Sequence, residues 1–188
     1  MSKRLILGSA SERRQAILSE LGVRFEVHIP DVEEVFHADE PRRTAEENAR
    51  HKHDWCKHRF ADRYIITADT IVALEGKCVA KPASMAEAAN FLRMFSGRAQ
   101  TVFTAIALSG PLARPDVTVV ESTVVFRRLT APAIRQYLSR VDPLDKAGGY
   151  DINQSGDLIV QSYSGSYTNI MGLPKEAVTA WLTREGLL

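Results

Sequence analysis

Apolar residues along this chain follow two kinds of spacing, and the alternation between them predicts an α/β fold. Apolar runs typical of buried strands occur at Arg4–Gly8 and at Tyr64–Leu74, the latter rich in Ile, Val and Thr. Apolar residues between Ile17 and Leu21 instead recur at helical spacing. Because such segments alternate without a repeat or a low-complexity linker, we expect one domain over residues 1–188, with a mixed β-sheet.

The other elements are predicted from strand-like runs and from residues that begin or end helices. A Ser or Thr three residues before Glu forms a capping box, which opens a helix. Such pairs occur at Thr44 with Glu47 and at Ser84 with Glu87. The remaining predictions are strands at Phe25–Ile29, Thr101–Leu108, Thr118–Arg128 and Leu158–Gln161, and helices from Thr130 to Arg140 and from Pro174 to Gly186.

Composition and charge exclude several classes of protein. The chain is 45% hydrophobic and 25% charged, which is ordinary for a globular protein and excludes a disordered one. Its net charge of +1 means that any anion site is local, so we expect no binding to nucleic acids. Cys56 and Cys78 form no CxxC pair, and no apolar run is long enough to span a membrane. These features predict a cytoplasmic protein that does not bind membranes.

The first candidate for chemistry is Ser9–Arg14, at the junction of the first strand and the first helix. Free N–H groups and the positive end of the helix dipole favour an anion at such a junction. Arg13 and Arg14 add planar guanidinium donors that suit phosphate oxygens. The alternative is an ordinary capped helix with two solvated arginines.

Asp69 and Thr70 interrupt the most strand-like segment of the chain. Aspartate is unfavourable inside an apolar strand, so Asp69 requires an explanation. It is either a general base or metal ligand at the edge of a cleft, or a structural carboxylate that accepts backbone hydrogen bonds. The residues alone leave both interpretations open.

Three lysines and one acidic cluster complete the candidates. Lys52 is isolated, whereas Lys81 and Lys146 lie in turns with Pro or Gly, where the backbone can approach a ligand closely. The cluster Asp31–Glu34 follows a predicted strand and offers the carboxylate oxygens that Mg²⁺ or Mn²⁺ prefers. Solvated lysines and a polar loop are the alternative interpretations.

Taken in order, these segments resemble the Maf family of nucleoside triphosphate pyrophosphatases over essentially the whole chain. No single segment is specific, but the ordered set is. It comprises Leu5–Arg14, Val32–Glu34, Ala49–Lys52, Ala68–Val72, Lys81–Pro82, Phe95–Gly97, Pro143–Tyr150, Gly165–Tyr167 and Gly172–Pro174.

The resemblance implies hydrolysis of a nucleoside triphosphate to the monophosphate and pyrophosphate, with a divalent cation, Mg²⁺ or Mn²⁺. It also implies a homodimer and an α/β fold of two lobes, in which helices flank a mixed, twisted sheet and a cleft lies between the lobes. By position, Asp69 resembles the proton acceptor, and Asp69 and Glu34 resemble metal ligands. The residues that resemble phosphate-handling groups are Ser9, Arg14, Lys52, Lys81 and Lys146, and those that resemble base-sorting groups are Arg13, Thr70 and Asn153.

Two positions depart from the family pattern. Arg13 and Thr70 match the branch that prefers dTTP and UTP over the branch that acts on 7-methyl-GTP, but Asn153 stands where that branch usually has Gln. This shorter amide predicts a shifted or relaxed base preference. Glu12 replaces the usual Pro, and we expect it to point to solvent, because an inward carboxylate would repel a triphosphate.

Two other functions compete with the pyrophosphatase. One is a nucleotide-binding regulator that acts through a partner, since the family has been linked to septum formation and cell division. The retained Asp69 and the lysines argue against a catalytically inactive sensor. The other is a nucleic-acid-binding module, which the net charge of +1 and the absence of interleaved aromatic and basic residues disfavour.

Overall fold

A mixed, seven-stranded sheet forms the centre of the computed structural model, which describes residues 4–188. The spatial order is β2-β1-β3-β5-β6-β7, and β4 pairs with β3. The β1–β2 and β1–β3 pairs are parallel, and the remaining pairs are antiparallel. The strands are β1 Leu5–Gly8, β2 Phe25–Val27, β3 Tyr64–Leu74, β4 Lys77–Val79, β5 Ala99–Ser109, β6 Asp116–Phe126 and β7 Val160–Ser164. The predicted mixed sheet is confirmed.

Six helices pack around this sheet. They are α1 Glu12–Glu20, α2 Pro41–Arg59, α3 Met85–Phe95, α4 Ala131–Leu138, α5 Tyr167–Ile170 and α6 Lys175–Arg184. The side chains of Ser11, Ser84 and Thr130 each accept a hydrogen bond from the backbone N–H three residues on, which satisfies a donor that the helix leaves unpaired. Within residues 4–188, every helix is too short or too polar to cross a membrane.

The structure corrects the predicted start of α2. The helix begins at Pro41 rather than at Thr44, because proline suits the first helical position, where its missing N–H is not needed. The Thr44 hydroxyl is therefore not a cap. It donates to the Glu40 carbonyl at 3.0 Å and accepts the His37 N–H at 3.1 Å, which ties the preceding loop to the helix.

Other element boundaries also differ from the predictions. β2 ends at Val27 because its pairing with β1 stops there, and β7 begins two residues later than predicted because residues 156–158 form a 3-10 helix. The sequence patterns missed this 3-10 helix, another at Ala147–Gly149, and the single turn of α5. Each is held mainly by contacts with distant parts of the chain, which local periodicity does not encode.

The sheet opens in the middle of β3. On one side β3 pairs with β1 from Tyr64 to Thr67 and with β4 from Val72 onward, so residues 68–71 pair there with none of the described strands. On its other side, β3 pairs continuously with β5. β1 ends at Gly8, where a Cβ would lie 2.6 Å from the Thr67 methyl and 2.7 Å from the Cys56 sulfur. Glycine therefore allows the tight packing at the edge of the opening.

Two apolar cores flank this opening. One contains Phe95, Phe126 and Tyr137, under α3 and α4, and the other contains Leu18 and Trp181, under α1 and α6. β3 contributes to both. The cleft between the two cores confirms the predicted arrangement of two lobes with a central cleft.

Candidate active site

The cleft has a volume of about 310 Å³ and two chemically distinct ends. It is bounded by the end of β1, the start of α1, the centre of β3 and the segments around residues 30, 81, 147–152 and 170–172. We define the charged end by Glu34, Lys52, Asp69 and Lys81, and the apolar end by Val72, Tyr150, Ile152 and Ile170. Arg13 lies with the apolar end, because its ion-pair partner is Asp151, which stands between Tyr150 and Ile152.

Lys52 connects the two carboxylates of the charged end. Its Nζ lies 2.6 Å from Asp69 Oδ1 and 2.5 Å from Glu34 Oε1. The other oxygen of Asp69 accepts the Asn48 side-chain amide at 3.3 Å. Asn48 and Lys52 are four residues apart on α2 and so lie on one face of the helix. The helix thereby fixes both oxygens of a carboxylate that is only 6% exposed.

The opening in the sheet explains why an aspartate occupies the centre of a buried strand. Residues 68–71 pair with β5 on one side only. The carboxylate of Asp69 lines the cleft there and takes its partners from α2 rather than from the backbone of β3. The alternative of a structural aspartate that accepts backbone hydrogen bonds does not match these contacts.

Glu34 is held in its ionised form. Burial raises the pKa of this carboxyl, but the hydrogen bond and charge of Lys52 outweigh burial, and Lys81 adds to the effect. The net pKa is therefore lowered from its ordinary value. At neutral pH the charged end thus presents the carboxylate of Glu34 close to the ammonium groups of Lys52 and Lys81.

Arg14 lines the cleft, and protein groups hold its guanidinium in place. Its Nε donates to the Gly172 carbonyl at 2.8 Å, and its Nη1 donates to the Ala68 carbonyl at 2.9 Å and to Ser9 Oγ at 3.1 Å. Its Nη2 donates to Thr70 Oγ1 at 3.0 Å. Burial lowers the pKa of the guanidinium, and the charge of Asp69 opposes this shift. Arg14 therefore connects both sides of the opening and holds the backbone immediately before Asp69.

Ser9 presents a hydrogen-bond donor at the start of α1. Its oxygen accepts the Ser11 N–H at 3.2 Å and the Arg14 guanidinium, so within residues 4–188 its own O–H remains to donate. The start of α1 forms this wall of the cleft, and its helix dipole favours an anion. Glu12 is exposed and does not line the cleft, which confirms the expectation that it points to solvent.

Arg13 and Thr70 add a guanidinium and a hydroxyl to the apolar end. Arg13 Nη1 lies 3.2 Å from the buried carboxylate of Asp151. Thr70 Oγ1 accepts the Arg14 N–H and lies 3.0 Å from Thr104 Oγ1. Both Arg13 and Thr70 line the cleft, so the structure brings these two predicted residues to one cavity.

Two predicted substrate-binding residues do not line the cleft. Lys146 is buried, and its Nζ lies 2.5 Å from the carboxylate of Asp145, which does line it. Asn153 is exposed, and its side-chain oxygen accepts a hydrogen bond from the Tyr167 hydroxyl at 3.4 Å. Their contacts with substrate stay predictions.

Sequence reasoning missed two polar residues that support the site, Asn48 and Asp151. Asn48 lies four residues before Lys52 on the same helix, a spacing that predicts a shared face once Lys52 is a candidate. Asp151 follows the segment Pro143–Tyr150 directly, but its partner Arg13 is far away in sequence. No local pattern identifies that pair.

The donor set fits a divalent cation that is shared with a ligand. Glu34 and Asp69 both direct an oxygen at one ammonium group, so two carboxylates converge on a single positive charge. No group of three or more His, Cys, Asp or Glu residues suited to a metal occurs within residues 4–188. Two carboxylates completed by phosphate oxygens are a usual environment for Mg²⁺, whereas a metal held by protein alone needs more ligands.

A mixed sheet that opens onto paired cations and carboxylates defines an α/β protein with a charged cleft. The family model described as "Maf-like protein" matches residues 4–185. The chain belongs to this family, as its ordered segments predicted.

Curated relatives match nearly the full chain. A protein named "dTTP/UTP pyrophosphatase" from Symbiobacterium thermophilum is 38% identical over 188 residues, which covers 98% of this chain and 95% of the relative. The protein of the same name from Deinococcus radiodurans is 39% identical and covers 98% of this chain and 94% of the relative.

Solved structures share the fold. The Ham1 protein of Staphylococcus aureus has a TM-score of 0.56 at 15% identity, covering 97% of this chain and 100% of that one. A Ham1 protein from Coxiella burnetii has the same TM-score and identity, covering 96% and 98%. At this identity the likeness shows the fold alone.

Proposed function

We propose that this protein hydrolyses a nucleoside triphosphate, with dTTP and UTP as its first substrates, to the nucleoside monophosphate and pyrophosphate. The observation that carries the proposal is Asp69, a buried carboxylate fixed by Lys52 and Asn48 where the sheet opens onto the cleft. The names of the full-length relatives support the same reaction and the two pyrimidine substrates.

Asp69 is the proton acceptor in this proposal. Hydrolysis adds the oxygen of a water molecule to phosphorus, breaks the phosphoanhydride bond between the α- and β-phosphates, and releases a proton from the water. A carboxylate within hydrogen-bond reach of the water takes up that proton. Lys52 and Asn48 keep both oxygens of Asp69 in place, so little reorganisation is needed when the water reacts.

Fixed donors stabilise the charge that develops on the phosphates. Lys52 and Lys81 lie at the charged end, and the hydroxyl of Ser9 and the start of α1 form the adjoining wall. Such groups act strongly in an enclosed site, because little water screens them. Arg14 contributes by holding Ser9, Thr70 and the carbonyl of Ala68 in position.

A divalent cation, Mg²⁺ or Mn²⁺, belongs to the proposal. Glu34 and Asp69 would hold it, together with phosphate oxygens of the substrate. When bound, such a cation neutralises phosphate charge and makes water a better nucleophile.

The experiment measures pyrophosphate release from a panel of nucleoside triphosphates that contains dTTP, UTP, CTP, ATP, GTP and 7-methyl-GTP, with Mg²⁺ or with Mn²⁺. We expect dTTP and UTP to be cleaved fastest, and no turnover when the metal is removed by a chelator. A folded protein that releases pyrophosphate from none of them would overturn the proposal and favour the nucleotide-binding regulator instead.

A homodimer and a role in cell division remain proposals that rest on the family resemblance, and a cytoplasmic location is a proposal that rests on the cysteines and the short apolar runs of the sequence. The dimer is the simplest of the three to test. Light scattering of the purified chain should give twice the mass of 20.9 kDa.

A further inference from the structure

We propose that Asp151 is a positioning residue that holds Arg13 at the apolar end of the cleft and thereby sets the preference between nucleotide bases. This inference rests on the proposed function. It concerns a residue that does not line the cleft and so does not touch the substrate.

The pair of Arg13 and Asp151 is asymmetric in exposure. The Arg13 side chain is 28% exposed and faces the cleft, whereas the Asp151 side chain is 1% exposed behind it. A buried carboxylate is costly unless a cation or hydrogen bonds compensate it. Asp151 therefore restrains the guanidinium of Arg13 strongly, while Arg13 keeps N–H groups for a ligand, since it has five.

Asp151 is itself fixed by several groups. Its Oδ1 accepts the Asn153 backbone N–H at 2.9 Å, and its Oδ2 accepts the Gln154 side-chain amide at 3.3 Å. The Tyr137 hydroxyl accepts the Asp151 N–H at 2.7 Å and donates to the Asp151 carbonyl at 3.0 Å. Burial raises the pKa of Tyr137, so the hydroxyl keeps its proton and remains a donor. These hydrogen bonds fix the Asp151 carboxylate, and its ion pair in turn fixes the guanidinium of Arg13.

The same short segment builds the apolar wall. Tyr150 and Ile152, which flank Asp151, both line the cleft. A largely apolar wall suits a nucleoside, and the charged end of the cleft suits its phosphates. A guanidinium fixed beside that wall donates to carbonyl oxygens. Uracil and thymine present an acceptor at O4, whereas cytosine presents an amino donor there, so a fixed Arg13 favours UTP over CTP.

The experiment compares kcat and KM for UTP and CTP in the full chain and in four variants. These are Asp151→Asn, Arg13→Gln, the double variant of both, and Asp157→Asn as a matched control. Asp157 is an exposed acid a few residues after Asp151, and the hydrogen bond found for it among residues 4–188 joins its backbone carbonyl to the Arg127 side chain. A fold check by circular dichroism accompanies each variant.

We expect Asp151→Asn to raise KM for UTP about ten-fold and to reduce the preference for UTP over CTP by a similar factor, with kcat changed by less than about two-fold. The double variant should have the same KM for UTP and the same preference for UTP over CTP as Arg13→Gln alone, because the two substitutions remove the same interaction. Asp157→Asn should match the unaltered protein. If Asp151→Asn does not fold, Tyr137→Phe provides a second test. It removes the two hydrogen bonds of the Tyr137 hydroxyl with the Asp151 backbone and should also reduce the preference for UTP over CTP.

Two results would overturn the inference while leaving the proposed function intact. One is an active protein whose UTP-to-CTP preference is unchanged in both Asp151→Asn and Tyr137→Phe. The other is an equal fall in kcat/KM for UTP and for CTP, which would mean that Arg13 contacts the phosphates rather than the base. An unaltered protein that cleaves no triphosphate would instead overturn the proposed function, and this inference with it.

Discussion

The two ends of the cleft are built in different ways. The charged end joins residues from four parts of the chain, the loop after β2, α2, β3 and the segment after β4, and Lys52 pairs with two carboxylates at once. The apolar end is built from apolar side chains of β3, α5 and residues 147–152, and it is backed by an apolar core. Arg13 at this end is paired with one carboxylate from behind.

This difference predicts how substitutions act. At the charged end, each group restrains the others, so removing one changes both the chemistry and the balance of charge in an enclosed site. At the apolar end, recognition is separate from the reacting groups, so substitutions there should change KM and base preference more than kcat. Substitutions at each end test this separation.

The largest effect is expected for Asp69→Asn at the charged end. Asparagine keeps the shape of the side chain but does not accept a proton, so kcat for pyrophosphate release should fall about 10²- to 10⁴-fold. KM should change much less, because the amide remains in place. The exposed Asp157→Asn serves as the control. A variant of Asp69 that keeps more than about a tenth of kcat would contradict the assignment.

The next effect concerns stability. Lys52→Met leaves the buried carboxylate of Asp69 without its cation, and this should lower the free energy of unfolding by about 3 to 5 kcal/mol in urea denaturation. Both side chains are largely buried, 13% and 9% exposed, so solvent screens the pair little. Adding Asp69→Asn to Lys52→Met removes the unpaired charge and should recover most of the loss.

A surface pair provides the matched control for this measurement. Lys175 contacts Glu20 at 3.0 Å, and the Glu20 side chain is 62% exposed. Lys175→Met should therefore lower the free energy of unfolding by less than about 1 kcal/mol. Equal losses for Lys52→Met and Lys175→Met would mean that the charged end is as well solvated as the surface, and the contrast between the two ends would lose its basis.

Local signals predicted those parts of the fold that local interactions determine. β3 has the predicted bounds, and Ser84 caps α3 as predicted, because a strand pattern and a cap each depend on a few neighbouring residues. The predicted start of α2 was wrong because Pro41 and Thr44 are both residue types that begin helices. The contact of Thr44 with the preceding loop, which the sequence does not show, determines which of them does so.

In the candidate site, too, the sequence identifies single residues but not their long-range partners. Asp69 was identifiable because a carboxylate in an apolar strand is unusual. Its partners were not, because the contact of Asn48 with Asp69 and that of Asp151 with Arg13 depend on how distant elements pack. Arg14 shows the limit most clearly. Its residue type predicts phosphate binding, which stays a prediction, whereas no local pattern indicates its hydrogen bonds to Gly172, Ala68 and Thr70.

At the apolar end, Ile152→Ala should mainly affect binding. Ile152 lines the cleft, and the loss of several apolar carbons from a nucleoside-binding wall should raise KM for UTP about ten-fold with kcat nearly unchanged. Steady-state kinetics of pyrophosphate release measures both constants. Leu112→Ala, at a side chain that is 83% exposed and away from the cleft, is the control. A fall in kcat similar to that of Asp69→Asn would show that the two ends are not separable.

The smallest effect is a pH dependence of stability at the charged end. The Lys52 hydrogen bond and charge outweigh burial and lower the pKa of Glu34 in the folded protein below its ordinary value of 4.5. The pairing therefore stabilises the folded state above pH 4.5, and this contribution is lost as the pH falls through the lowered folded-state pKa. Glu34→Gln should reduce Tm at pH 7 by about 2 °C, since the side chain is partly exposed, and the difference from the unaltered protein should disappear in acid. The control is Glu33→Gln at the exposed neighbouring residue, for which we expect no such pH-dependent difference in Tm. A Tm difference for Glu34→Gln that grows as the pH falls would contradict the pairing, because it has the opposite sign.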